Sequence, residues 1–189
     1  MSILAMFGTK ALLKRGIIHE SEICLYEYGF ELLFSTIITI IFVVLQGILC
    51  GELARAITFI VFFMPIRTVA GGYHAKSYGR CLLLTIFISM VCVWGSKILY
   101  IKCRSVWGIL LVFVMVCKYL WKHAPIVPLE YRGKTNREKT NRRYTHNVLW
   151  IEIISILVLV NVSKELMYTA IITSCVVAFM VVIVEKGGT

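Results

Sequence analysis

His74 and Cys81 stand seven residues apart in the stretch GGYHAKSYGRC, residues 71–81, between two apolar runs. A cysteine with a histidine in reach is the minimum set for nucleophilic acyl transfer: the imidazole takes the thiol proton and the thiolate attacks a carbonyl. The chemistry requires that the two side chains meet, within about 2.6–3.2 Å for proton transfer. On one continuous helix, seven residues amount to two turns and about 10 Å of rise, so the chain between them must fold back. Ser77 and Gly79, between the two, supply a reason it could, and Gly71 and Gly72 break the preceding helix. The alternative is an interfacial loop holding a solvated His and a buried Cys.

Position separates Cys81 from the other six cysteines. An apolar run begins after Arg80, which places Cys81 in the first turn of a helix, with Ser77 or Gly79 as its N-cap. A helix N-terminus presents free N–H groups and partial positive charge, and both favour thiolate. Cys92, Cys117 and Cys175 fall inside apolar runs, Cys50 follows one, and Cys103 has no nearby His. The seven show no CxxC and no paired spacing, so neither a disulfide framework nor a zinc knuckle is expected. There is no Asp in the chain. A third group that orients the histidine would have to be Glu130, Glu138, Asn136, Asn141 or Asn147, or be absent. No metal or cofactor is expected, and an HExxH metalloprotease motif is missing.

The elements that must position this pair are read from composition. The 189 residues are 59% hydrophobic and 16% charged, against about 25% charged in soluble domains. The fold expected is an all-α integral membrane protein of about six transmembrane helices, with four spans and two re-entrant segments as the alternative. The apolar stretches are 32–50, 56–66, 82–96, 106–120, 148–162 and 166–184, with Pro65 closing the short second one. An amphipathic interfacial helix precedes them: Lys10, Lys14 and Arg15 alternate with Leu12, Leu13, Ile17 and Ile18. We read residues 1–189 as a single membrane-embedded peptidase domain, with residues 1–30 as the amphipathic N-terminal region and 121–147 as a basic cytoplasmic loop. Glu31 and Glu152 stand at span edges, and His19, His123 and His146 read as surface residues.

The net charge of +10 is assigned to membrane flanks and anionic lipid rather than to nucleic acid. Threading six spans with the 130–143 stretch inside places 15 of the 20 Lys and Arg on the cytoplasmic side and 5 on the other. That division puts both termini and the His74–Cys81 loop in the cytoplasm.

The segment RTVAGGYHAKSYGRC resembles the peptidase signature of the accessory gene regulator B (AgrB) family. It has an Arg, a small-residue step, Gly-Gly-Tyr-His-Ala, a Cys seven residues after the His, and Thr85 four residues after the Cys. HAPIVP followed by a basic stretch is similar to the family's central loop, although Ile126 and Val127 stand where an acidic residue is expected after Pro125. The resemblance implies a multi-pass protein of the bacterial cell membrane: a cysteine endopeptidase that cuts a small propeptide and promotes its cyclisation to an autoinducing peptide for quorum sensing. It implies His74 and Cys81 as the catalytic pair, with Arg67, Gly71, Gly72 and Thr85 shaping the site. Arg142 and Arg143, in the basic loop, would draw in the acidic tail of a propeptide whose start is amphipathic. A homodimer is expected. The competing class is a non-enzymatic small membrane transporter or assembly subunit.

Overall fold

The computed structural model describes residues 3–70, 78–103, 105–125 and 135–187. Among these residues the fold is all-helical: α1 (Ile3–Lys14), a 3-10 turn (Glu20–Glu22), α2 (Ile23–Leu49), α3 (Leu53–Ala70), α4 (Tyr78–Lys102), α5 (Val106–His123), α6 (Thr135–Val162) and α7 (Lys164–Gly187). Among the described residues, five helices are long and apolar enough to cross a membrane: Ile23–Leu49, Cys81–Lys102, Val106–His123, Asn141–Val162 and Lys164–Glu185. Length and composition thus make the chain a multi-pass membrane protein. Large apolar residues such as Leu45, Phe87, Leu111 and Leu157 are exposed on the helix surfaces, which suits lipid and not water.

The second stretch of the sequence reading, residues 56–66, is α3, which is not among those five. Ala56, Phe59, Phe63 and Ile66 follow the i, i+3, i+7 spacing of one helix face and are all buried, and the Phe59 and Phe63 rings stack at 4.8 Å. Pro65 does not close the helix as expected; α3 continues through it to Ala70. Packing against α2, α4, α6 and α7 holds the helix where proline removes a backbone bond, as neighbouring helices do in membrane bundles. The extra turn carries Arg67 up beside α4.

Helix α7 is the most buried of the five candidate spans and packs on α3, α4, α5 and α6. Its contact face is small and hydroxyl-bearing: Thr169, Ala170, Thr173 and Ser174 are buried, and Thr169 shares a 2.9 Å hydrogen bond with Ser96 on α4. Small residues let helix backbones approach closely where lipid supplies no hydrophobic drive.

The helices turn back at two opposite ends. At one end α2 finishes in a Schellman cap: Gly51 takes a positive φ of 68°, and the Glu52 and Gly51 N–H groups donate to the carbonyls of Gly47 and Ile48. The same end holds an ionic cluster. Arg55 donates to Glu52 and to Glu165, each at 2.9 Å, and Lys97 pairs with Glu52. The Lys97 bond, followed by Arg55, holds the Glu52 carboxyl below its ordinary range, against the opposing effect of burial. The other end holds the start of α4, the ends of α3, α5 and α7, and the first half of α6.

Two further features differ from the sequence reading. Residues 135–147, taken as part of a basic loop, are helical. Lys and Arg are good helix formers. Glu152 is not at a span edge but well inside α6, facing the bundle interior at 4% exposure. One of its carboxylate oxygens accepts from Ser174 Oγ at 3.3 Å; the other has no hydrogen-bond partner among the described residues.

Candidate functional site

The start of α4 and the end of α3 meet at Cys81. Helix α4 begins at Tyr78, so Cys81 lies in its first turn as expected, while Gly79 is helical and is not the N-cap. Ser77, His74, Gly71 and Gly72 lie outside the described residues.

Arg67 reaches across from α3 with both guanidinium nitrogens. Nη2 donates to Cys81 Sγ at 3.1 Å and Nη1 donates to Thr85 Oγ1 at 2.9 Å. Thr85, 1% exposed, passes its own hydroxyl hydrogen to the Cys81 carbonyl at 2.9 Å. Residues i and i+4 lie one above the other on a helix, so the planar fork of Arg67 spans one turn of α4 and is fixed at both tines. The guanidinium also lies over the Phe63 ring, 5.3 Å from its centroid. A guanidinium N–H directed at sulfur stabilises negative charge there. Cys81 is half-buried, while Cys24, Cys50 and Cys103 are exposed and Cys92 is buried. Of the sequence-nominated residues, the structure therefore brings Arg67, Cys81 and Thr85 together.

Arg142 and Arg143 are exposed on α6 and make no hydrogen bond to this group. Among the described residues no cluster of His, Cys, Asp or Glu could hold a metal ion.

Sequence reasoning missed the polar contacts around the ends of α5 and α7. Glu185 accepts from Tyr119 at 2.7 Å and meets His123 Nδ1 at 2.8 Å. His146 stacks on Trp121 with ring centroids 3.9 Å apart. These histidines are partly buried against partners rather than free at the surface. No local spacing announces contacts between residues more than sixty apart, such as 62 for His123 and Glu185.

The sequence model described as Accessory gene regulator B matches residues 8–184. A putative AgrB-like protein of Clostridium perfringens (strain SM101) is 27% identical over 156 residues, covering 78% of this chain and 73% of its own length. Protein FsrB of Enterococcus faecalis (strain OG1RF) is 27% identical over 99 residues, covering 52% of this chain and 40% of its own length. A second putative AgrB-like protein, of C. perfringens strain 13, is 27% identical over 144 residues, 71% of this chain and 67% of its own length. No solved structure matches. Membership of the family implies autoinducing-peptide processing in quorum sensing, with an AgrD-like propeptide as substrate. With the family match running through both helices of the Arg67–Cys81–Thr85 group and over nearly the whole chain, the protein belongs to the accessory gene regulator B family.

Proposed function

We propose that the protein is a membrane cysteine endopeptidase in which Cys81 is the nucleophile and His74 the base. The observation that carries this reading is the 3.1 Å bond from Arg67 to Cys81 Sγ: the cysteine that follows a histidine by seven residues, at the start of α4, has a guanidinium directed at its sulfur. His74 takes the thiol proton. The Cys81 thiolate attacks a propeptide carbonyl, the C–N bond breaks, and the C-terminal tail leaves with the proton on its new amine. The peptide is then held as a thioester. A thiol or hydroxyl of the same peptide, in place of water, attacks that thioester, closes a thiolactone or lactone ring and returns the thiol to Cys81. Transfer between thioesters changes bond energy little, so exclusion of water decides between ring closure and hydrolysis, and a site at the bilayer face favours exclusion. Gly71 and Gly72 would give the connection its bend, and Arg67 and Thr85 would hold the sulfur in place.

In this reading the active-site end and both termini face the cytoplasm, α3 completes six spans, and α1 lies in the interface. Arg142 and Arg143 would draw in the acidic tail of the propeptide, whose amphipathic start would lie along the membrane. A homodimer is part of the proposal. The test is intact-mass analysis of the detergent-solubilised protein after mixing with propeptide. An adduct equal to the propeptide without its tail should form on Cys81 and be released by hydroxylamine. An adduct on another residue, or a tail released with no adduct at any time point, would exclude the mechanism.

A further inference from the structure

The charged half of α5 and the second half of α6 enclose a groove on the surface of the bundle. Trp121 on α5 packs edge-on against Trp150 on α6, with centroids 6.0 Å apart and planes at 88°. Beyond this contact the two helices part and leave a groove of about 470 Å³. Phe113 and Ile156, both buried, form its floor; Val114 and Leu157, both exposed, form its rims. Among the described residues, Lys118 is the one cation in its lining. Helix geometry places two more at the same mouth. Lys122 is one turn beyond Lys118 on α5. Arg142 is one turn before His146 on α6, and His146 stacks directly on Trp121. Arg143 is rotated a further ~100° around the helix. No ion pair among the described residues involves Lys118, Lys122 or Arg142.

Size decides what the groove can hold. A helix about 10 Å across rising 1.5 Å per residue fills roughly 120 Å³ per residue, so this space would take only about four residues of one. A helix of the propeptide or of a second copy could therefore lay only one face against the groove and could not enter it. An extended hydrocarbon chain is narrow enough. The apolar floor, tryptophans at one end and cations beyond them follow the profile of a lipid: acyl chain, interface, anionic headgroup. The Lys118 stem can lie along the apolar wall while its ammonium reaches the headgroup level.

We infer that the α5–α6 groove is a binding site for one anionic phospholipid, its acyl chain between Phe113, Val114, Ile156 and Leu157 and its headgroup phosphate held by Lys118, Lys122 and Arg142. The site lies at the same end of the bundle as Cys81, so an anionic leaflet would hold that end of α5 and α6 in register. The inference stands on the groove and its cations, and holds whether or not Cys81 is the nucleophile.

The test uses the full chain in vesicles that carry phosphatidylglycerol or phosphatidylcholine with a photoactivatable diazirine in the acyl chain. Crosslinked residues are located by peptide mass spectrometry. With the wild-type protein, phosphatidylglycerol should label 110–121 and 150–157 about tenfold above phosphatidylcholine. Each of Lys118→Gln, Lys122→Gln and Arg142→Gln should lower that labelling by about fivefold, the loss expected for one cation near an anionic surface. Lys10→Gln with Lys14→Gln, on α1, should leave it unchanged. Soluble glycerol phosphate should not compete. Equal labelling by the two lipids, or label spread evenly onto exposed apolar residues of α2 such as Ile41 and Leu45, would overturn the site. So would equal loss in the α1 variant, or full competition by glycerol phosphate.

Discussion

Arg67 is the residue through which the candidate site is held. Its fork satisfies two acceptors one helical turn apart, at 3.1 and 2.9 Å, a geometry that a lysine ammonium cannot reproduce. A hydrogen bond to a charged partner contributes about 1.5–3 kcal/mol. We therefore expect Arg67→Lys to slow both propeptide cleavage and iodoacetamide alkylation of Cys81 by roughly 10- to 100-fold, with helix content retained. A role in packing alone would leave alkylation unchanged, so an unaltered alkylation rate in Arg67→Lys would remove the guanidinium as a partner of the thiol. Arg67, Cys81 and Thr85 were all legible in the sequence, because a motif of fixed spacing crosses the α3–α4 boundary. What the spacing could not give is the direction of the guanidinium, which depends on α3 running past Pro65.

At the scale of the helices, two ends with different jobs emerge. The end opposite Cys81 is tied by the Glu52, Arg55, Lys97 and Glu165 cluster, which joins α3, α4, α7 and the turn after α2. Glu52 binds its proton less tightly when folded. Its stabilisation is therefore complete above the ordinary carboxylate value of 4.5, and it is lost as pH falls through the lower folded value. Lys97→Met should lower the thermal midpoint at pH 7, and the deficit should shrink as the pH is taken below that of an ordinary carboxylate. A deficit constant from neutral to acid pH would show that the pair does not act through its charge. The Gly47–Ala56 crossing tests the packing of the same end. A Cβ on Gly47 would stand 2.5 Å from Ala56 Cβ and 3.2 Å from Leu53 Cα, and backbone cannot yield cheaply. Gly47→Ala should cost about 1–3 kcal/mol, read as a lowered thermal midpoint; an unchanged midpoint would mean that α2 and α3 do not meet this closely. Apolar runs marked all the helices in the sequence except α1, which was read from its alternating charges. The ionic cluster was not legible, since its partners are brought together only when α7 packs along α3, as with Arg55 and Glu165, 110 residues apart. The burial of Glu152 was missed for a related reason. The apolar run begins at Val148, but the helix begins at Thr135, and one carboxylate does not stop a helix whose neighbour offers Ser174.

For the whole molecule, an uncommon basic surplus, an apolar exterior and a bundle centred on α3 and α7 place any chemistry at the membrane face. In the proposed six-span threading Lys and Arg divide 15 to 5, and that reading would orient the Cys81 end to the cytoplasm. Cysteines introduced at Ser77 and Thr135 in a cysteine-poor background should resist an impermeant maleimide on intact cells and react after permeabilisation; labelling of either on intact cells would reverse the topology. The claim on which everything else depends is that this bundle processes a propeptide through Cys81 with His74. It is tested most directly by co-expressing a tagged propeptide with the wild-type chain, Cys81→Ala or His74→Ala, and blotting for processed peptide while confirming membrane insertion of each variant. Cleavage should appear with the wild type and vanish with both variants. Normal processing by membrane-inserted Cys81→Ala would contradict the account.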